Sequence, residues 1–298
     1  MKEIVIISGK GGTGKTSITA SFAAFGGNIV LADCDVDAAD LHLLLRPEIK
    51  EQHRFFSGNE AVIDNEKCSG CGKCHSLCRF GAVKYNKKTA SFEIDSTLCE
   101  GCGVCFRFCP EKAISFPERD CGNWFHSTTR FGEMIHARLG IGAENSGKLV
   151  SQVRNAARET ASGISADIIL IDGPPGTGCP VIASITGADG VIIITEPTLS
   201  GKHDLMRVMK LVNHFGIPAF VCVNKWDINP EISSQIEDDA VKSGAVFSGK
   251  IPYDDKMIPS QISEQSLVEY DPFSKTSLIL KEIWNRILDL ISENSDGK

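Results

Sequence analysis

The sequence lacks long apolar runs and clusters of basic residues. No stretch approaches the roughly 20 consecutive apolar residues that a membrane-spanning helix needs, and Met1–Glu3 leads straight into the apolar run Ile4–Ile7 with no secretory signal before it. The longest basic run is Lys87-Lys88 and the formal net charge is -7, whereas nucleic-acid binding relies on clustered Lys and Arg. We therefore expect a cytoplasmic protein with no stable membrane insertion and no nucleic-acid partner.

The composition is otherwise that of an ordinary globular protein with an excess of cysteine. Its 298 residues are 42% hydrophobic and 23% charged, which suffices for one large α/β domain and a small satellite. The chain has 12 cysteines. In a reducing compartment we expect them to be metal ligands or buried thiols rather than disulfides.

Apolar runs alternate with helical patterns along most of the chain. The runs Ile4–Ile7, Asn28–Ala32, Ile168–Ile171, Val191–Thr195 and Ala219–Val223 are typical of buried strands, and Lys15–Phe25 and Leu205–Phe215 have helical spacing. This alternation predicts a doubly wound, mostly parallel sheet.

The α/β pattern is interrupted by a segment rich in Cys, Gly and Lys. Between Ala61 and Phe116 the sequence repeats itself after about 31 residues, which indicates an inserted domain. We predict an α/β domain formed by residues 1–60 and 118–298, with a small α+β domain inserted at 61–117.

The C-terminal segment has apolar residues at helical spacing, namely Ile279, Leu280, Ile283, Trp284, Ile287, Leu288 and Ile291. A helix that lies on a membrane carries Lys and Arg on its polar face, but here Lys281 and Arg286 alternate with Glu282 and Asp289. We expect this helix to pack on the sheet.

A glycine-rich loop follows the first predicted strand. It reads Gly9-Lys10-Gly11-Gly12-Thr13-Gly14-Lys15-Thr16 and continues into Ser17 and a predicted helix, which is the context of a P-loop. The glycines allow backbone N–H groups to surround phosphates, Lys15 supplies a positive charge, and Thr16 offers a hydroxyl to Mg²⁺. The loop predicts a nucleoside triphosphate and Mg²⁺ bound at Gly9–Ser17.

The position of Lys10 gives this loop a more specific resemblance. The segment Lys10–Thr16 resembles the deviant P-loop of the MinD and ParA group of ATPases, which also includes the nitrogenase iron protein and the Mrp-type iron–sulfur carriers. The resemblance implies a homodimer with nucleotide between the subunits, in which Lys10 reaches the partner's phosphates.

Two aspartates at predicted strand ends fit the same family. Asp35 lies in the acidic segment Asp33–Asp37 after the second strand, and the resemblance implies that it orients the attacking water. Asp172 ends the strand Ile169–Ile171 and precedes Gly173, and the resemblance implies that it holds Mg²⁺ through water. The predicted catalytic residues are thus Lys10, Lys15, Asp35 and Asp172.

The sequence is compatible with recognition of either guanine or adenine. The segment Asn224–Asp227 resembles the N-K-x-D element of GTPases, in which the aspartate reads guanine. In the MinD group an asparagine at the position of Asn224 faces adenine instead, and a segment like that of Pro252 flanks the base. We expect ATP rather than GTP.

Most of the cysteines form two runs of the same C-x2-C-x2-C-x3-C spacing. The first run is Cys68, Cys71, Cys74 and Cys78, and the second is Cys99, Cys102, Cys105 and Cys109. This spacing resembles bacterial ferredoxins with two 4Fe-4S clusters, in which the last cysteine of each run ligates the other cluster. The resemblance implies one cluster on Cys68, Cys71, Cys74 and Cys109, and one on Cys99, Cys102, Cys105 and Cys78.

The residue after each run differs between the two. Pro110 follows the last cysteine of the second run, as in ferredoxins, whereas Arg79 follows the last cysteine of the first run. Structural zinc favours pairs of C-x-x-C separated by a longer loop.

Cys179 and Cys121 lie outside the two runs. Cys179 is seven residues after Asp172, where the nitrogenase iron protein has a cluster ligand, so it could hold a further metal centre, with Cys121 as companion. The alternative is that both are unligated thiols. Cys34 and Cys222 lie in apolar strands and are expected in the core.

Three functions are compatible with these motifs. The first is an ATPase whose nucleotide cycle gates electron transfer through the clusters to an unknown redox partner. The second is an ATP-dependent carrier or scaffold that delivers an iron–sulfur or metal centre to a client protein. The third, which we consider less fitting, is a positioning ATPase of the MinD type.

Overall fold

The computed structural model describes residues 1–87, 89–140 and 146–296, with side chains up to 293. Lys88 of the Lys87-Lys88 pair lies outside the described residues. The chain divides into two compact units. The first unit comprises Met1–His53, Trp124–Arg138 and the described part of Ser146–Lys298, and the second comprises Arg54–Asn123 and the described part of Leu139–Asn145. The predicted insertion at 61–117 falls within Arg54–Asn123, and its narrower bounds stay a prediction.

The strands and helices follow one another along the chain as follows. The strands are β1 (Lys2–Ser8), β2 (Ile29–Asp33), β3 (Glu48–Asn59), β4 (Val62–Ile63), β5 (Val83–Asn86), β6 (Ser91–Ile94), β7 (Ile114–Ser115), β8 (Glu118–Thr129), β9 (Gly132–Leu139), β10 (Ile168–Pro175), β11 (Gly190–Thr195), β12 (Ala219–Asn224) and β13 (Val246–Ile251). The helices are α1 (Lys15–Ala23), α2 (Leu41–Leu45), α3 (Lys73–Leu77), α4 (Val104–Arg107), α5 (Ser146–Gly163), α6 (Cys179–Ile185), α7 (Leu199–His214), α8 (Pro230–Lys242), α9 (Met257–Ile262), α10 (Leu267–Tyr270) and α11 (Lys275–Asp296).

A nine-stranded sheet has the order β13-β12-β11-β1-β10-β2-β9-β8-β3. β1 pairs in parallel with both β10 and β11, and β10 pairs in parallel with β2. Each of the predicted apolar strands is present, and β1 and β11 are buried along almost their whole length. The prediction of an α/β fold with a mostly parallel central sheet is confirmed.

The register of the central strands determines where polar groups meet. Asp172 of β10 lies opposite Asp33 of β2 and opposite Ile6 of β1. Because parallel strands end at the same edge, the aspartates and the loop after β1 come together at the carboxyl edge of the sheet.

The sequence patterns missed the strands that extend the sheet beyond β2. β3 forms the last position of the sheet, and most of its residues are exposed. An edge strand with polar residues on both faces carries no apolar alternation. Without that alternation, pattern reasoning treats such a strand as part of a loop.

The C-terminal helix packs on the sheet as predicted. The buried apolar residues among the described side chains of α11 are Leu280, Ile283, Trp284, Ile287 and Ile291, all in the core that includes α1 and the central strands. The Trp284 ring stacks on Phe22 of α1 with the ring centroids 4.9 Å apart. Within residues 1–87, 89–140 and 146–296, no helix combines the length and the apolar character needed to cross a bilayer.

The second unit contains two copies of one structural motif that exchange strands. In the ladder between β4 and β7, Ile63 pairs with Ile114, and in the ladder between β5 and β6, Ile94 pairs with Val83. A shift of about 31 residues turns each of these pairs into the other. Each half of the repeat therefore completes the sheet of the other half, so neither forms its strand pair alone.

The exchange extends to turns and helices. The Asp64 N–H donates to the Ala113 carbonyl at 2.7 Å, and the Asp95 N–H donates to the Ala82 carbonyl at 2.8 Å. α3 and α4 each begin after a glycine with φ of 71°. The two cysteine runs are thus related by an approximate twofold rotation within the second unit.

A buried ion pair ties the start of β1 to the helices beside it. The side chain of Arg154 in α5 is 4% exposed and forms an ion pair with Glu3, and it donates to the carbonyls of Ala183 and Thr186 at 2.8 Å each. Arg158 also pairs with Glu3, but its side chain is 38% exposed. Arg154 thus carries the larger share of buried polar contacts.

We expect Arg154→Met to lower the free energy of unfolding by about 3 kcal/mol, because it removes the buried partner of Glu3, leaving only the more exposed Arg158, and removes the donor to two carbonyls. The matched change Arg158→Met removes an exposed ion pair and is expected to cost less than about 1 kcal/mol. Urea unfolding followed by circular dichroism measures both. Equal losses for the two variants would contradict this account.

Candidate nucleotide-binding site

The loop between β1 and α1 forms one wall of a cavity of about 510 Å³. The cavity is lined by Ser8, Gly11, Gly12, Thr13, Gly14, Lys15, Thr16, Ser17, Asp35, Ala38, Asp40, Leu43, Leu44, Pro175 and Gln261. Gly14 has φ of 85°, and a Cβ there would lie 2.5 Å from Nδ2 of Asn224. Both the backbone conformation and the close approach require glycine at this position.

A buried charge cluster lies at the start of α1. Nζ of Lys15 is 2.7 Å from Oδ1 of Asp172 and 3.4 Å from Oδ2 of Asp35, and the Thr16 hydroxyl donates to Oδ2 of Asp172 at 2.7 Å. Burial lowers the pKa of Lys15, but the carboxylates of Asp172 and Asp35 outweigh burial and raise it above its ordinary value. The predicted residues Lys15, Thr16, Asp35 and Asp172 are therefore brought together.

Asp33 and Thr19 also belong to this cluster, although sequence reasoning did not select them. Asp33 is fully buried and accepts hydrogen bonds from the backbone N–H groups of Asp35 at 3.1 Å and Leu41 at 3.3 Å. Burial, with the added charge of Asp172, raises the pKa of Asp33 well above its ordinary value. The Thr19 hydroxyl donates to Oδ1 of Asp172 at 3.0 Å. The signal for Asp33 was its place as the first acid of Asp33–Asp37.

Lys10 contacts a different set of groups from this cluster. Its Nζ lies 3.4 Å from Oγ1 of Thr198, 3.2 Å from Oγ of Ser200 and 3.6 Å from Oε2 of Glu196. These residues follow β11 and begin α7. Gly9 and Lys10 are absent from the lining of the cavity, within the described part of the chain.

Asn224 connects β12 to the P-loop. Its side-chain Nδ2 donates to the Thr13 carbonyl at 2.8 Å, and its Oδ1 accepts the Lys225 N–H at 3.0 Å. Oδ1 of Asp227 accepts the N–H of Tyr253, next to Pro252, at 2.7 Å. Neither Asn224 nor Pro252 lines the cavity as described, so their contact with a base stays a prediction.

Residues far from the P-loop in sequence also line the cavity. Leu43 and Leu44 of α2 and Gln261 of α9 line it from outside the P-loop. Nε2 of Gln261 donates to Oγ of Ser17 at 2.7 Å. No sequence motif marks Gln261, because only the tertiary fold places α9 beside α1.

The model of the CobQ/CobB/MinD/ParA nucleotide-binding domain family matches residues 4–267. The chain belongs to this family. It is a P-loop ATPase, and the predicted resemblance to the MinD and ParA group is confirmed for the ATPase fold.

Several known proteins are similar to this ATPase over nearly its whole length. An uncharacterized protein of Methanocaldococcus jannaschii is 33% identical, covering 97% of each chain. The chloroplastic homolog of the septum site-determining protein MinD of Arabidopsis thaliana is 26% identical, covering 96% of this chain and 74% of that protein. The septum site-determining protein MinD of Pyrococcus horikoshii, solved in complex with Mg-ADP, has a TM-score of 0.57 at 18% identity, covering 96% of this chain and 95% of that one. The last likeness shows the fold alone.

The cysteines of the ATPase's second unit surround a small core. A cavity there is lined by four cysteines, Cys68, Cys71, Cys74 and Cys109, together with nonpolar residues such as Ile63 and Ile114. Cys105 lies within electrostatic reach of Cys99, Cys102 and Cys74. Burial raises the pKa of the Cys78 thiol, but hydrogen bonds from the backbone N–H groups that follow it outweigh burial and lower this pKa. These N–H groups favour a thiolate at Cys78.

The other cysteines of the ATPase are separate from these runs. Cys121 is buried and donates to the Ser57 carbonyl at 3.3 Å, whereas Cys179 is exposed at the start of α6. Cys34 and Cys222 are fully buried, as expected for core residues. Among the described residues, no three or more His, Cys, Asp or Glu side chains converge as ligands of a single metal ion.

Asp35 is expected to make stability depend on pH. The pKa of the Asp35 carboxyl is raised to about 6, because burial and the Asp172 charge together outweigh the attraction of Lys15. In the unfolded chain an aspartate titrates near about 3.9, so the native state binds more protons between these values. The free energy of unfolding therefore falls as pH rises through this window.

We expect Asp35→Asn to raise the free energy of unfolding by about 2 kcal/mol at pH 7.5 and by much less at pH 4.5. Urea unfolding of the nucleotide-free protein at the two pH values measures the difference. Asp37→Asn, at an exposed position of the same segment, serves as control. It should change both values much less than Asp35→Asn does, because the Asp37 charge makes only a small contribution to the raised pKa of Asp35. A gain that is independent of pH would rule out this origin.

Proposed function

We propose that this protein is a homodimeric ATPase that couples ATP turnover to electron transfer through two 4Fe-4S clusters in its second unit. One observation carries the proposal beyond the ATPase family. Three cysteines of the first run and the last cysteine of the second, Cys109, line the same cavity, which is the ligand set of a two-cluster ferredoxin. The 61–117 segment is thus proposed as an inserted ferredoxin domain.

The nucleotide half of the proposal rests on the charge cluster around Lys15. Lys15 forms ion pairs with both Asp172 and Asp35. The phosphates of ATP compete with the two carboxylates for Lys15. Asp172 and the adjacent Thr16 hydroxyl would then be free to hold Mg²⁺, and Asp35 would be free to orient the attacking water. Mg²⁺, when bound, supplies positive charge to the β and γ phosphates. The nucleotide thereby changes the contacts of β2 and β10 at once.

The residues of the second unit fit the proposed clusters in their chemistry and symmetry. Thiolates are the ligands that iron–sulfur clusters use, and the strand exchange relates one run to the other. A four-iron cluster is held from outside by thiolates that do not converge on one point, so the lack of a single-ion site among the described residues concerns a different kind of centre. The N–H groups around Cys78 would orient and stabilise a ligating sulfur.

The segment that contains α2 and β3 connects the nucleotide site to the second unit along the chain. Asp33 holds the N–H of Leu41, the first residue of α2, and α2 is followed after Arg46-Pro47 by β3. β3 runs from the first unit into the second. A change at Asp35 on nucleotide binding therefore acts on the segment that enters the cluster-bearing unit.

The proposed function involves a second copy of the chain and a further protein that accepts electrons or a cluster. Lys10 does not contact the cavity of its own chain, which agrees with a role across a homodimer. The acceptor is an unknown redox protein, or, if a cluster leaves during turnover, a client protein that receives an iron–sulfur centre. The latter makes the protein an ATP-dependent carrier.

A positioning ATPase of the MinD type is a second candidate. The names of the similar proteins from Arabidopsis and Pyrococcus favour it, since both are septum site-determining MinD proteins. The apolar face of α11 is buried against the core as far as Ile291, so the described side chains of this helix present no apolar face to a membrane. A purely positioning role also leaves the eight-cysteine repeat without a use.

The ligand sets predict which cysteine pairs share a cluster. We expect Cys74→Ala/Cys109→Ala to lose about four irons per chain, because both cysteines belong to one proposed cluster, and Cys74→Ala/Cys78→Ala to lose about eight. Anaerobic iron and sulfide analysis measures both. Cys222→Ala, at a buried core cysteine outside the runs, is the matched control. Equal losses for the two double variants would contradict the exchanged ligation.

The coupling is tested by EPR of the dithionite-reduced protein with and without Mg-ATP. We expect about eight irons that stay bound while the spectrum shifts with nucleotide. Lys15→Met should abolish the shift and lower ATP turnover at least about 100-fold, because it removes the buried charge that binds phosphate, while the iron content stays constant.

The other outcomes separate the candidates. Iron that leaves on ATP addition indicates the carrier. A chain that reconstitutes no cluster yet hydrolyses ATP indicates a positioning ATPase, and it would refute the electron-transfer proposal.

A further inference from the structure

Lys10 is held within its own chain by groups at the start of α7. The hydroxyls of Thr198 and Ser200 lie 3.4 and 3.2 Å from its Nζ, and Oε2 of Glu196 lies 3.6 Å away. The side chain of Lys10 is 32% exposed. These three contacts give the ammonium group a defined position, and Lys10 is not one of the residues that line the nucleotide cavity.

The Glu196 carboxylate forms ion pairs with two lysines. Its Oε1 lies 2.6 Å from Nζ of Lys225, while Oε2 faces Lys10. The Glu196 side chain is 16% exposed, so its charge is only partly screened by solvent. Lys225 follows Asn224, whose side chain is bonded to the P-loop at Thr13. The carboxylate therefore joins the P-loop to the segment after β12.

The backbone of Glu196 is held firmly. Its carbonyl oxygen accepts the Thr198 N–H at 2.8 Å and would lie 2.4 Å from a Cβ at Gly201. The backbone of Glu196 is therefore packed against the first turn of α7. A Lys10 side chain that reaches across to a partner leaves this region, so its 3.6 Å contact with the Glu196 carboxylate is lost.

We propose that Glu196 is a positioning residue that keeps Lys10 in a resting place and thereby sets how readily the nucleotide-bound chain dimerises. The inference rests on the proposed function, in which Lys10 reaches the partner's phosphates. Each chain gives up one Lys10–Glu196 contact on dimerisation, so a symmetric dimer gives up two. Lys225 competes for the same carboxylate and weakens the hold on Lys10.

The competition predicts opposite effects of two substitutions. With a non-hydrolysable ATP analogue and Mg²⁺ at saturation, we expect Glu196→Gln to lower the chain concentration at half-dimerisation about threefold to tenfold, the size of two partly exposed ion pairs. Lys225→Gln should raise it, because Glu196 is then left to Lys10 alone. Analytical ultracentrifugation measures the midpoint, and binding of a fluorescent ATP analogue to the monomer checks that nucleotide affinity is unchanged. Glu196→Asp, which keeps the charge, should restore most of the wild-type midpoint.

A second measurement tests the contact without any dimer. In the nucleotide-free chain, the rate of Lys10 acetylation, followed by mass spectrometry, should rise severalfold in Glu196→Gln while that of the exposed Lys210 stays the same. Unchanged labelling of Lys10, or a midpoint that rises in Glu196→Gln, overturns the inference. A wild-type chain that never dimerises with nucleotide refutes the proposed dimer, whereas the labelling still decides whether Glu196 holds Lys10.

Discussion

The contact between Lys15 and the two aspartates Asp172 and Asp35 is the constraint on which the nucleotide site depends. Three carboxylates, those of Asp33, Asp35 and Asp172, lie around this single buried ammonium group. Isolated charges are costly to bury, so the parallel ends of β1, β2 and β10 are held together partly by this shared cation. A loss of Lys15 would leave the whole carboxyl edge of the central strands with uncompensated charge.

The same arrangement prepares the site for chemistry. A cluster with more acidic groups than basic ones attracts cations. The pKa values of Asp33 and Asp35 are raised first by burial and then by repulsion from the Asp172 charge. A nucleotide with its metal ion brings both a new partner for Lys15 and a new positive charge for Asp172. In the proposed function, binding exchanges one set of contacts for another, and the free-energy difference between the two sets would move β2 and α2.

The second unit faces a different physical problem. Its hydrophobic core consists of few residues, Ala61, Cys74, Val83, Phe92 and Ile114, and several cysteines of the two runs pack against it. A core of this size supplies little stability, and small domains of this kind commonly rely on covalent or metal links. The exchanged strands make the two halves interdependent. Ligation by cysteines from both halves would therefore stabilise the unit as a whole.

The sequence by itself determined the local chemistry of this protein. The P-loop, the buried parallel strands, the helical spacing of α11 and the two cysteine runs could all be read from residue types at fixed separations, because each depends on interactions between near neighbours in the chain. The tertiary structure alone decided the rest. It placed Asp33, Thr19 and Gln261 beside the P-loop, gave Lys10 its contact with Glu196, and extended the sheet through β9, β8 and β3. These features join segments far apart in sequence, and no local pattern specifies which of many polar side chains will meet when strands pair.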